Sequence, residues 1–115
     1  MIHEEAMKHQ SSHLKIVSMV CCIVRQFHPE RIILFGSHAN GHPSPDSDVD
    51  LLVVMPVKGS KRRKVAEIRL ALQKFRIPKD ILLNKPEEFA WRKDTVGTIE
   101  WPAEHHGEVL YARAG

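Results

Sequence analysis

The stretch Ile33 to Val54 reads ILFGSHANGHPSPDSDVDLLVV, and its reading decides the fold. It opens inside a short run of branched residues, Arg31 to Phe35 (RIILF), which reads as a strand ending at Gly36. Gly36 to Ser47 is dense in Gly, Pro, Ser and Asp, the composition of a turn-forming loop. A single helical turn can begin at Ser37, with Gly41 and Pro43 placed to end it. Asp48 to Met55 (DVDLLVVM) is the clearest strand in the chain, closed by Pro56. After Asp50 both of its faces are largely apolar, which predicts a central strand covered on both sides.

Outward from this pair, Glu4 to Phe27 lacks proline and glycine, and Leu14, Val17, Val20, Cys21 and Val24 recur at helical spacing. Pro29 lies where such a helix must already have stopped. On the other side, Gly59-Ser60 opens a second helix, with Ser60 as its N-cap and Val65, Ile68, Leu70, Leu72 and Phe75 on its apolar side. Lys79 to Leu83 (KDILL) follows Pro78 as a strand, and Pro86-Glu87-Glu88 reads as the first turn of a further helix. The tail predicts a helix over Glu100 to His106, stopped by Gly107, then an extended piece from Val109 to Tyr111. This order predicts an α/β (α+β) sandwich, a small mixed β-sheet flanked by helices.

The 115 residues are about the length of one ordinary domain, so residues 1–115 are expected to share one core. The chain is 43% hydrophobic and 27% charged, enough apolar material to fold and enough charge for solubility. A net charge of +3 suits an anionic ligand such as a triphosphate or RNA without choosing between them. The N-terminal residues carry Glu4, Glu5 and Lys8 and no apolar signal core, and the run Ile16 to Val24 is well short of the ~20 residues that span a bilayer. The adjacent pair Cys21 and Cys22 cannot form a disulfide framework and reads as two buried thiols on a helix. A soluble, cytoplasmic protein is the expectation.

Three features carry chemistry. Gly36-Ser37 sits between a strand and an expected helical turn, where glycine permits close backbone approach, free amides attract anions and Ser37 adds a hydroxyl. Asp48-Val49-Asp50 places two carboxylates on one face of a strand start, with Val49 on the other. Their mutual repulsion calls for a cation, and without one it raises at least one carboxylate pKa. Hard oxygen ligands select magnesium or manganese. Asp80, again at the start of an apolar strand, joins the first two if its strand is a neighbour. Taken singly, each has a plain alternative: an ordinary Gly-Ser turn, a frayed strand start, a loop carboxylate.

Together these residues resemble the nucleotidyltransferase superfamily that includes DNA polymerase β, and most closely its minimal, single-domain bacterial members. The match is strand, Gly-Ser, ten residues, Asp-x-Asp, apolar strand, supported by Pro29-Glu30-Arg31, Asp80, Thr98-Ile99-Glu100 and Gly107 to Tyr111. The resemblance implies that Gly36 and Ser37 hold the triphosphate and that Asp48 and Asp50 coordinate Mg2+ (or Mn2+). It also implies that Asp80 completes a second metal site and helps activate the attacking hydroxyl. Asn40 departs from it, standing where family members usually carry arginine, which bears on nucleotide affinity and loop support.

Other residues read more plainly. His38, His42 and Asp46 are loop residues with solvated or turn-forming roles. His105-His106 beside Glu104 reads as an exposed helix end, because adjacent helical residues diverge. Lys61-Arg62-Arg63-Lys64 is a basic run at a helix start, where the dipole disfavours cations; a solvated face accounts for it, and an anionic neighbour would too. Trp91 and Trp101 suit core or interface.

The resemblance implies transfer of AMP from ATP to a hydroxyl on a helical HEPN-domain toxin, with this chain as its antitoxin. A short chain fits reliance on such a partner. Two other functions stay open: a non-catalytic module that neutralises its partner by contact, and an enzyme acting on a small molecule or RNA.

Overall fold

A computed structural model describes residues 4–39 and 47–114. Asn40, His42 and Asp46 lie outside the described residues. The elements are α1 (Glu4–Phe27), β1 (Arg31–Phe35), β2 (Val49–Val54), α2 (Lys61–Ala71), β3 (Lys79–Asn84), α3 (Pro86–Arg92), α4 (Glu100–His106) and β4 (Glu108–Ala112). The four strands form one mixed sheet in the order β3-β2-β1-β4. β1 runs antiparallel to β2 and β4, and β2 runs parallel to β3.

The alternation of side chains along β2 explains its apolar run. Val49, Leu51 and Val53 face one way and join Met19 and Ile23 of α1 and Ile68 of α2. Leu52 and Val54 face the other way and join Ile33, Phe89 of α3 and Ala103 of α4. Leu51, Leu52 and Val53 are wholly buried, as a strand covered on both faces requires. Each such side chain contributes on the order of 1.5–3 kcal/mol by leaving water.

Helix ends obey local chemistry. The Ser60 side chain accepts from the backbone N–H of Arg63 at 3.2 Å, capping α2. His28 closes α1 in the left-handed region at φ 49, and the buried Pro29 follows. Glu88 reaches back to accept from the Lys85 backbone N–H at 3.0 Å at the start of α3. Gly107 ends α4 where it presses on β1: a Cβ there would overlap the Ala103 carbonyl and stand 2.8 Å from Ile33 Cγ2 and 2.9 Å from the Leu34 carbonyl oxygen. Between α3 and α4, Arg92 Nε lies 2.9 Å from Glu100 Oε1, a carboxylate almost fully removed from water.

Two expectations need correction. On α1 the core side is Ile16, Met19, Val20, Cys22 and Ile23, whereas Leu14 is 64% exposed, Val17 is 42% exposed and Cys21 is also outside. Ile16 to Val24 is apolar nearly all round, so helical spacing fits two neighbouring stripes, and packing on the sheet selects the one with the longer side chains. Only Cys22 of the two thiols is therefore buried. On α2, Leu70 points into solvent and the helix ends at Ala71, so Leu72 and Phe75 reach the core from the turn beyond it.

Candidate functional site

The loop from β1 to β2 and the starts of β2 and β3 meet at one end of the sheet. Asp50 and Asp80 are register partners across the parallel pair, so their side chains share a face. Asp48, two residues before Asp50 and exposed, belongs to the same alternation. The carboxylates interact: burial first, then the charges of Asp80 and Asp48, hold the Asp50 carboxyl above its usual pKa, while His38 opposes the rise. The expectation that repulsion lifts at least one carboxylate pKa holds at Asp50, although desolvation is the larger cause.

Gly36 directly follows Phe35, the register partner of Asp50 across the antiparallel pair. It adopts φ 77, a conformation that L side chains rarely take, and a Cβ there would run into Asp50 Oδ2. The glycine thus lets the turn close over the carboxylate. Ala39 N–H donates to the Gly36 carbonyl at 3.1 Å, closing a hydrogen-bonded turn over Ser37 and His38 where a helical turn was expected, and Gly41 and Pro43, expected to end it, lie outside the described residues. His38 Nε2 lies 3.2 Å from the Ser47 carbonyl oxygen and ties the two ends of the loop together.

A residue not read from sequence completes the charge pattern. Arg69, in the last turn of α2, places Nη2 3.0 Å from Asp80 Oδ1. Its signal was available: α2 leads through a short turn into β3, so a cation in the helix's last turn falls beside the first residues of the strand. Among the described residues no three His, Cys, Asp or Glu side chains are together placed to hold a metal ion. Asp80 and Asp48 each lie close enough to Asp50 to repel it, and the Asp80 carboxylate is turned to Arg69. A divalent cation fits this donor set chemically, since all three offer hard, anionic oxygens and Asp50 is repelled by the other two.

The basic run at Lys61–Lys64 is partly accounted for. Lys61 Nζ lies 2.9 Å from Glu88 Oε2 and Lys64 Nζ 2.9 Å from Glu67 Oε2, while Arg62 and Arg63 are exposed. The bond from Lys61 and then that from the Lys85 backbone hold the Glu88 carboxyl below its usual pKa. His105 stacks on Trp101 at 4.1 Å and its Nδ1 lies 2.9 Å from the Trp101 carbonyl oxygen, a structural arrangement at a helix end. Trp91 is exposed and Trp101 half-buried.

The nucleotidyltransferase domain family model matches residues 17–101, and the chain belongs to that family. Nucleotidyl transfer in general is therefore its activity class, and domains of this family generally use divalent metal ions. The fold is similar to that of a presumed nucleotidyltransferase from Sulfolobus solfataricus, with a TM-score of 0.59 and 24% identity over 97% of this chain and 91% of that one. No curated protein sequence matches the chain significantly. Among the described residues no helix is long and apolar enough to cross a membrane.

Proposed function

We propose that the whole chain acts as a minimal nucleotidyltransferase domain that uses magnesium to move AMP from ATP to a hydroxyl on a protein partner. The observation that carries this reading is the meeting of Asp50 and Asp80 across β2 and β3, with the Gly36-Ser37 turn closed against Asp50. Asp48 and Asp50 hold a first divalent ion and Asp80 completes a second site, a role in which the guanidinium of Arg69 must yield. When bound, such ions neutralise charge on the phosphates and on the attacking and leaving oxygens.

The chain's own groups do the rest. The Gly36-Ser37 turn binds the triphosphate with backbone amides and a hydroxyl donor. The acceptor hydroxyl forms a bond to the α-phosphorus as the bond to the bridging oxygen breaks, and pyrophosphate leaves. Asp80 receives the hydroxyl proton. Positioning supplies much of the rate, since a bound partner makes the step effectively intramolecular.

The partner we propose is a HEPN-type toxin encoded beside this chain, in the cytoplasm, with this protein as its antitoxin. The resemblance of Ile33 to Val54 to minimal antitoxin-type enzymes supports it. Intact-mass spectrometry of the co-expressed pair tests it: the partner gains one or more AMP units only with magnesium, ATP and intact Asp50. A partner that stays unmodified yet is neutralised hands the case to a contact-only module. Two proteins that neither associate nor react point to a small-molecule or RNA acceptor.

A further inference from the structure

The outer side of α1 carries an apolar stripe that the fold leaves uncovered. Leu14, Val17 and Cys21 are exposed and Val24 is half-buried, and the four recur at steps of three and four along about 15 Å of helix. We infer that this stripe seats a helix of a partner protein, apolar along one side and acidic beside it. The inference rests on the proposed function for there being a protein partner, and adds where on this chain it docks and what it presents there.

Shape is the first argument. Val17, Cys21 and Arg25 form an i, i+4, i+8 ridge with a groove on either side. One groove, of about 310 Å3, runs between α1 and β4, where Val20, Val24, Leu110 and Tyr111 join the ridge. The other, of about 400 Å3, runs between α1 and the turn after α2, where Lys74 and Phe75 form the far wall. A second helix packs against such a surface by sending its own rows of side chains into the grooves. Steps of three and four are also the spacing of a helix-pairing seam.

Charge is the second, and it decides between occupants. Arg25 lies on the ridge and Lys74 on the wall of the second groove; both are exposed, and among the described residues neither has a carboxylate partner. Lys74 Nζ lies over the Phe75 ring, 5.4 Å from its centroid. A second copy of this chain would bring more of the same sign, because α1 from His13 to Gln26 holds Lys15 and Arg25 and no Asp or Glu. Glutamates flanking the apolar stripe of a partner helix answer both cations.

Position is the third. Lys74 and Phe75 belong to the turn that joins α2, with Arg69 in its last turn, to β3, with Asp80 at its start. Lys79 Nζ donates to the Phe75 carbonyl oxygen at 2.9 Å and ties that turn to the first residue of β3. A helix seated on this wall holds its protein on the flank of the sheet where Asp80 receives the acceptor's proton.

Two synthetic helical peptides serve as probes, both with leucine at the a and d positions of each heptad, one with glutamate and the other with lysine at e and g. Like charges keep each from pairing with itself. By fluorescence anisotropy at low salt, the wild-type protein is expected to bind the acidic peptide roughly tenfold more tightly than the basic one, and the gap should narrow at high salt. Arg25→Glu combined with Lys74→Glu should reverse the order. Val17→Asp should weaken both peptides by roughly tenfold or more, because it buries an unpaired charge. The bound acidic peptide should slow alkylation of the exposed Cys21 thiol. Equal binding of both peptides, no binding of either, an order unchanged by the charge reversal, or an unprotected Cys21 overturns the inference. So does a wild-type dimer in sedimentation that Val17→Asp dissociates, which would give the stripe to a second copy. Calorimetric titration with ATP and magnesium keeps the proposed function separate: Val17→Asp should bind ATP as the wild type does. Failure of the wild type to bind ATP overturns the proposed function and leaves the peptide result standing.

Discussion

The carboxylate of Asp50 lies against the Cα of Gly36, so that a Cβ at position 36 would overlap Asp50 Oδ2 and come within 3.3 Å of Cγ. Two constraints therefore meet at one residue: a left-handed backbone at φ 77 and the space taken by a neighbour's carboxylate. Gly36→Ala is expected to destabilise the fold by about 1–3 kcal/mol through the backbone alone and to displace Asp50 as well. The displacement is isolated by repeating the change in an Asp50→Ala background, where Gly36→Ala should cost less. Chemical denaturation of the four proteins in this cycle measures it, and strict additivity would remove Asp50 from the account.

Asp50→Asn is expected to abolish transfer and to leave the fold intact or slightly stabilised. Because the folded-state pKa of Asp50 is raised, the folded protein binds more protons than the unfolded chain in the interval between the two values. Stability from this group is present at low pH and is lost as pH rises through the raised pKa. The advantage of Asp50→Asn should thus appear as pH rises above the ordinary carboxylate range and persist at neutrality. The effect is small because the group keeps much of its contact with water. Magnesium should raise the melting temperature of the wild type and not of Asp50→Asn; an equal shift in both would locate the ion elsewhere.

Replacing Arg92 should cost far more than its half-exposed surface suggests. Its Nε lies 2.9 Å from Glu100 Oε1, yet neither atom has a hydrogen bond among the described residues, so the contact is an ion pair without donor alignment. Arg92→Ala strands a buried carboxylate and should destabilise by about 3 kcal/mol or more. Arg92→Met with Glu100→Leu should recover most of the loss. Thermal unfolding of the single and double variants checks this, and a cheap single change would mean that water reaches Glu100.

The element order, the Ser60 cap and the placement of Asp48, Asp50 and Asp80 at strand starts are legible in the chain because each rests on a local rule: Ser60 before a helix, Pro29 after one, alternation at Asp48-Val49-Asp50. The exposed stripe of α1 was not legible, because Leu14 and Val17 satisfy helical spacing as well as Ile16 and Met19 do, and only the sheet distinguishes them. The reason for Gly36 was legible in part. Its close approach reads from sequence, but the neighbour it approaches is Asp50, brought there by the pairing of Phe35 with Asp50. Arg69 is legible only from the order of α2 and β3, since its partner is eleven residues away across a turn and no helix or strand period marks that separation.

Lys61 offers a test of whether the basic run serves the triphosphate. Its Nζ is already engaged by Glu88, at 2.9 and 3.1 Å to the two carboxylate oxygens. Lys61→Ala should change triphosphate affinity only modestly, and less at high salt, whereas Gly36→Val should lose binding. In stability the pair should count for about 0.2–1 kcal/mol, as partly exposed pairs do. Because the Glu88 pKa is lowered, that contribution is present above the ordinary glutamate pKa and is lost as pH falls through the lowered value. Calorimetric titration that ranked Lys61→Ala above Gly36→Val would shift the phosphate site to α2.

The pairing of Arg69 with Asp80 sets up a competition for one carboxylate. At 3.0 Å the guanidinium holds the Asp80 oxygen that the proposed second ion needs, and both side chains are largely exposed. An exposed pair is worth roughly 0.2–1 kcal/mol, so removing the arginine should tighten divalent binding by about 1.4- to fivefold, a gain that salt screening reduces. Electron paramagnetic resonance of Mn2+ bound by Arg69→Ala and wild type, at low and high salt, reads this directly. Arg69→Lys should fall between them, because a point charge on a flexible stem competes less specifically than a planar fork. If Arg69 moves to the phosphates once displaced, Arg69→Ala will bind Mn2+ more tightly and ATP more weakly at the same time. Unchanged Mn2+ affinity in Arg69→Ala would mean that Asp80 takes no part in holding the ion, leaving Asp48 and Asp50 to do so alone.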